Sequence, residues 1–251
     1  FILVKSKSDY YIVPLINGIS FLLIGFVSLG ILIFHYKIRF FVPKQETLIY
    51  YLKNGWHIFL SNISVTLYTT FILTSLGFFA SNIVVGYYSI AEKIIQVIRS
   101  LLSPVSQALF PFLAAQKNDS KEKVLRINKK ILVYGSVIMI PCCLALFFLS
   151  DWIIFLVTKK VSLESSRVLK ILSPIPFLIV LANVFALFTM IVFNRNKEYG
   201  RIIVSAGLVS IPLSFLLIPI FQNVGAAYTV LIIELYVTFR YVYYVQKSDL
   251  K

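Results

Sequence analysis

Glu92, Lys93 and Arg99 stand inside one long apolar run, Gly86 to Ala115. An ammonium or guanidinium there can hold an anion, and the forked guanidinium matches phosphate oxygens. Ser89, Lys93, Gln96, Arg99 or Ser100, Ser103 and Gln107 recur at steps of three or four. On a helix they share one face, with Glu92 at its edge. Two readings follow. Either Glu92 and Lys93 neutralise each other while Arg99 snorkels or pairs with a neighbouring helix, or the stripe faces a water-filled cavity where Arg99 or Lys93 meets an anionic substrate.

The element that positions these groups is a membrane-crossing helix. As a straight helix its residues would reach about 45 Å, more than a hydrocarbon core of about 30 Å, so it tilts, bends or protrudes. Placed symmetrically, it sets Arg99 near the midplane, where a charge costs about 2.5–3.5 kcal/mol. Pro104 and Pro111 interrupt its inner half and predict kinks.

The composition agrees. Hydrophobic residues make up 59% of the 251 residues and charged ones 14%, with a mean hydropathy of +0.88; soluble domains carry about 25% charged residues. Long apolar runs without alternating short strands predict an all-α membrane protein. The net charge of +14 would suggest nucleic acid in a soluble chain. Here the basic residues sit in short loops, so membrane orientation explains them and no nucleic-acid partner is expected. Cys142 and Cys143 are adjacent and point apart on a helix, so neither a disulfide framework nor a metal pattern exists. No cofactor is implied.

About seven spans are expected: Tyr11 to Phe34, Trp56 to Phe79, Gly86 to Ala115, Ile131 to Leu149, Ile171 to Phe193, Ile202 to Phe221 and Ala226 to Val245. Glu46 to Asn54 reads either as an interfacial amphipathic helix or as an extension of the second span. In that second span Asn62, Thr66, Thr69 or Thr70, and Thr74 share a face, as helix–helix glue or cavity wall. Residues 116–130 form a basic loop, 152–157 an interfacial segment and 158–170 a polar connector. The seventh span holds Glu234, a candidate ion-pair partner for Lys93, and Arg240, which snorkels toward the inner end. Lys and Arg number fifteen on one side and six on the other, which places the N-terminus outside and the C-terminus in the cytoplasm. A chain that begins at Phe1, outside and without a signal peptide, is expected to have lost earlier spans.

The layout also suits a rhodopsin-like receptor, but neither an inner Asp-Arg-Tyr nor an Asn-Pro-x-x-Tyr is present. The motif Gly86-Tyr87-Tyr88-Ser89-x-Ala91-Glu92-Lys93, then Pro104 and Gln107-Ala108-Leu109-Phe110-Pro111, resembles instead the Wzx-type O-antigen flippases of the multidrug/oligosaccharidyl-lipid/polysaccharide exporter superfamily. The resemblance runs from about residue 40 onward. It implies two six-helix lobes around a central cavity. Residues 1–40 would hold the last helix of a truncated N-terminal lobe, 41–55 the connector and amphipathic helix, and 56–251 the C-terminal six-helix lobe.

The activity it implies is moving a polyprenyl-diphosphate-linked oligosaccharide across the bacterial inner membrane by alternating access. Lys93 and Arg99 would attract the diphosphate. Asn62, Thr66, Thr69, Gln96 and Gln107 would meet sugar hydroxyls, with Glu92 and Glu234 completing the cavity. No bond is made or broken, so no catalytic residue is required and no enzyme is expected. Membrane lipids, and the polymerase and chain-length regulators of the same pathway, are the implied partners. A cation-coupled drug exporter, kept open by Glu92 and Glu234, and an envelope-assembly polymerase or acyltransferase are the alternatives.

Overall fold

The computed structural model describes residues 12–37, 43–117 and 120–248. Every regular element among them is helical. Together with the long apolar helices below, this makes the chain an all-α, multi-pass membrane protein. Two units are distinguished, Phe1–Lys53 and Asn54–Lys251.

The first unit holds α1 (Ile12–Gly30), which runs into a π-helical turn at Ile31–His35. Its large side chains are exposed, Phe21, Phe26 and Phe34 among them, as hydrocarbon surroundings allow. Next comes α2 (Gln45–Phe79). Residues 46–54 are its opening turns.

The second unit continues with α3 (Asn82–Gln116), α4 (Lys121–Phe148) and α5 (Ser150–Thr158). Then follow α6 (Leu163–Leu172), α7 (Ile175–Ala182), which runs into a π-helical stretch at Asn183–Ile191, and α8 (Asn196–Lys247). Among the described residues, five helical stretches are long and apolar enough to cross a membrane: Gly18–His35, Asn82–Gln116, Lys121–Phe148, Leu163–Ile191 and Asn196–Lys247. The last is two helices. Gln222 breaks it with φ 51° and ψ −123°, and the chain doubles back. Ser205 Oγ lies 2.9 Å from Tyr236 Oη, and Tyr199 stacks on Tyr241 with ring centroids 5.8 Å apart. The two arms therefore run antiparallel, as the short QNVG turn predicts.

Two stretches differ from expectation. Most of the polar connector at 158–170 is helix α6. Ser162 caps it by accepting from Ser165 N at 3.4 Å, and Glu164 in the first turn complements the helix dipole. The helix α4 starts inside the basic loop at Lys121 for the same reason, with Ser120 accepting from Lys123 N at 3.4 Å. Polar residues that read as a loop by hydropathy are here the first turns of capped helices.

Packing follows the apolar periodicity. The helix α3 buries Tyr88, Ala91 and Ile95 in a cluster with Val168, Leu169 and Leu172 of α6 and Ala226 and Ala227 of α8. A second cluster joins the α8 arms through Ala206, Ile233, Val237 and Tyr241, with Met190 of the π-helical stretch. A third gathers Leu113, Val124, Val184 and Phe188. The π-helical stretch has its own support. Buried Asn128 of α4 donates to Phe188 O at 2.9 Å and to Thr189 Oγ1 at 3.1 Å, while Thr189 Oγ1 donates to Val184 O at 2.8 Å. Widening a helix frees carbonyls from their regular donors, and these side chains supply replacements. Asp151 lies outside the spans, and the Ser166 hydroxyl and the Lys170 ammonium, 3.1 Å from its Oδ2, hold its carboxyl below the usual carboxylate range.

The reversal at Gln222 depends on Gly225, where a Cβ would overlap the carbonyl of Leu217. Gly225→Ala is expected to destabilise the protein by about 1–3 kcal/mol, the usual cost of overpacking. Thermal unfolding in detergent measures this, and an unchanged midpoint would show that the turn can yield.

Candidate functional site

The helix α3 sorts its side chains by face. Tyr88, Ala91, Ile95 and Leu113 are buried, while Lys93, Gln96, Ser100, Ser103 and Gln107 are exposed. Arg99 lies between the two sets. Its guanidinium Nη2 donates to Glu234 Oε1 of α8 at 3.2 Å. The carboxylate side chain is 9% exposed and the guanidinium side chain 29%, so the pair is anchored on its acidic side and open on its basic side.

The pairing has a clear cause. A lone carboxylate in a span is expensive, and a close cation is the cheapest way to keep it ionised. Glu234 sits on the buried face of α8 with Ile233, Val237 and Thr238, so its partner must come from a neighbouring helix. Arg99 supplies it, and Lys93 does not.

Two cavities meet at Arg99. One, of about 520 Å³, is walled by Arg99, Ser106, Gln107, Asn183 and Glu234 together with Leu102 and Phe110. The other, of about 560 Å³, is walled by Thr69, Thr70, Ser89, Glu92, Gln96 and Arg99 with Tyr88 and Leu172. Arg99 and Ser103 belong to both. The Arg99 Nε is buried with no hydrogen-bond partner among the described residues, a donor left over after the ion pair. Asn183 Nδ2 donates to Ser106 Oγ at 3.0 Å and so fixes the amide at the first cavity's wall. Pro104 and Pro111 lie inside α3 and carry no N–H, so the carbonyls of Ser100 and Gln107 lose their i+4 donors. The walls therefore offer a cation, amides, hydroxyls and spare carbonyls in a setting that is otherwise apolar.

The structure thus brings Arg99, Glu92, Gln96 and Glu234 to this wall. Lys93 is exposed and lines neither cavity. The side chains of Asn62 and Thr66 lie outside the described residues, while Thr69 and Thr70 on the same helix line the second cavity. Asn183 and Ser106 escape the sequence reading. A lone amide in the apolar run from Ile175 to Ile191 was the available signal for Asn183; Ser106 offers none beyond its helix position. Among the described residues, no group of His, Cys, Asp and Glu has the make-up of a metal site.

Fold and site together define a polytopic membrane protein with a polar, charge-bearing recess between its helices. Comparison with known proteins narrows the class. A family model described as "Polysaccharide biosynthesis protein" matches residues 1–117. The whole chain is similar to a "Putative O-antigen transporter" of Escherichia coli, at 31% identity over 250 residues, 100% of this chain and 60% of the relative. A protein of the same name from Shigella dysenteriae is 24% identical over 237 residues, 93% of this chain and 58% of the relative. The chain therefore spans about three fifths of the length of these relatives. No solved structure matches. The resemblance carried by the α3 motif and the similarity along the whole chain point to the same kind of protein.

Removing one partner of the Arg99–Glu234 pair leaves the other buried and uncompensated. Arg99→Met is expected to cost about 3 kcal/mol, the lower end of the range for breaking a buried pair because Arg99 keeps some exposure. Arg99→Met with Glu234→Leu should recover most of that loss. A double-mutant cycle by thermal unfolding checks this, and strictly additive losses would mean that the pair is not coupled.

Proposed function

We propose that this chain is part of a flippase that moves polyprenyl-diphosphate-linked O-antigen or related oligosaccharide units across the bacterial inner membrane. The observation that carries the reading is Arg99 at the wall common to two polar cavities, on a membrane-crossing helix. The names of the relatives support it.

The chemistry of the cargo matches the wall. A diphosphate needs a cation at a depth where water is scarce, and Arg99, whose side chain stays 29% exposed beside its ion pair, offers one. Sugar hydroxyls need donors and acceptors, which Gln96, Gln107, Ser103 and Asn183 supply. Glu234 keeps Arg99 in place without quenching its open side. No bond of the cargo is broken, so the wall needs no nucleophile or general base, and transport without catalysis is the reading adopted. Residues 56–251 form one lobe of a two-lobed exporter that opens alternately to either face, a reading supported by the unit boundary that falls close to that point, at residue 53. The C-terminus lies in the cytoplasm. Pathway polymerases and chain-length regulators are the natural partners, since they consume the delivered unit.

Two measurements test this. In the full-length protein, Arg99→Met with Glu234→Leu keeps the fold but removes the cation. Surface glycan is expected to fall about tenfold or more with protein level held, as loss of a charged hydrogen bond implies. Undiminished glycan would refute a role for the pair in transport. For topology, Lys121→Cys and Gln222→Cys are placed in a background lacking Cys142 and Cys143. An impermeant thiol reagent added outside should label Gln222→Cys alone, and the reverse pattern would invert the orientation.

A further inference from the structure

A third cavity, of about 470 Å³, lies at the open end of the α8 hairpin, among Arg201, Arg240, Lys247, Glu198, Phe239 and Tyr243. We infer that it holds the phosphate headgroup of an anionic phospholipid. The polar wall at Arg99 plays no part in it, and the inference does not rest on the transport reading.

Depth is the first argument. Gln222 marks one end of the hairpin, and Lys247 lies 25 residues beyond it, about 37 Å at 1.5 Å per residue. That length crosses the hydrocarbon core and ends at headgroup level. Glu198 and Arg201 start the first arm, while Arg240, Tyr243 and Lys247 end the second. The reversal at Gln222 is what brings these two sequence-distant sets together.

Charge is the second argument. Three cations face one carboxylate, so the cavity holds a net positive charge. Two of the cations, Arg240 and Lys247, are held by aromatic rings, and none of the three has a carboxylate partner among the described ion pairs. Arg240 lies 5.7 Å over the Tyr236 ring and donates to Tyr236 Oη at 3.3 Å. Lys247 lies 5.8 Å over the Tyr243 ring. Cation–π contact orients a side chain but leaves its N–H groups free for an anion. Arg201, Arg240 and Lys247 are exposed, so an incoming phosphate need not strip them from a buried pair.

The third argument selects a lipid rather than free phosphate. Ile232, Leu235, Phe239 and Tyr243 follow one another at helical spacing along the second arm, and all are exposed. This apolar strip runs from mid-span into the basic cavity. A free phosphate would use only the cations. A phospholipid would lay an acyl chain on the strip and its phosphate among the cations, satisfying both. Basic pockets between spans at the membrane face are known to recognise such headgroups.

The test uses the full-length protein purified in detergent, with lipid retention read by native mass spectrometry. Phosphatidylglycerol is expected to be retained at least tenfold over phosphatidylcholine. Arg201→Gln, Arg240→Gln and Lys247→Gln should each weaken it about five-fold, and the triple variant should show no preference. Lys159→Gln with Lys160→Gln, at the far end, should leave it intact. Equal retention of the two lipids, equal loss in the far-end control, or displacement by millimolar inorganic phosphate would each overturn the inference. The single Lys247→Gln variant, at an exposed position, keeps the test decisive if the triple variant loses its fold.

Discussion

A guanidinium held 3.2 Å from a buried carboxylate, between two helices that face hydrocarbon, constrains everything around it. Neither charge is tolerable in lipid alone. Each therefore fixes the other's helix in rotation, because turning either helix by one residue would separate them. That requirement sets which face of α3 is inward and which is left to carry Gln96, Ser100, Ser103 and Gln107. The polar wall is thus a by-product of satisfying Glu234. The same pair explains why α3 and α8 approach each other although Ala226 and Ala227 of α8 bring so little surface.

Burial and electrostatics place different demands on this arrangement. Apolar association gains little inside a membrane, where lipid tails are as apolar as leucine. Close fit and polar pairing must do more. The protein uses both: small residues and a glycine where backbones approach, and side-chain bonds such as Asn128 to Phe188 O and Asn183 to Ser106 where geometry leaves polar atoms unpaired. The recess beside Arg99 is where that pairing remains incomplete, and incompleteness there is a property that a binding wall requires.

Much of this was legible in the residues. Apolar run lengths placed the helices, because a span must satisfy its own backbone and is hard to disguise. The stripe on α3 was visible because its period is helical, and Arg99 stood out because an uncompensated charge at that depth is costly. The partner of Arg99 was not legible. Periodicity assigns a face to each helix but says nothing of which faces meet, and Lys93 was as good a match for Glu234 by depth. The capped start of α6 was obscured for another reason. Its first turn, Ser162 to Ser165, is polar because it lies at the membrane's edge, so hydropathy alone could not separate helix from loop. Asn183 went unnoticed because a single amide in an apolar stretch looks like a harmless exception until its neighbour Ser106 is known.

The hairpin turn at Gln222 has a mechanical consequence. Its arms are pinned at the tip by the tight fit of Gly225 and along their length by the Ser205–Tyr236 contact and the Tyr199–Tyr241 stack. They cannot slide past each other without losing all three. The last two spans therefore move as a single stiff strut, and any displacement of Glu234 is transmitted with little loss to the residues at the strut's other end.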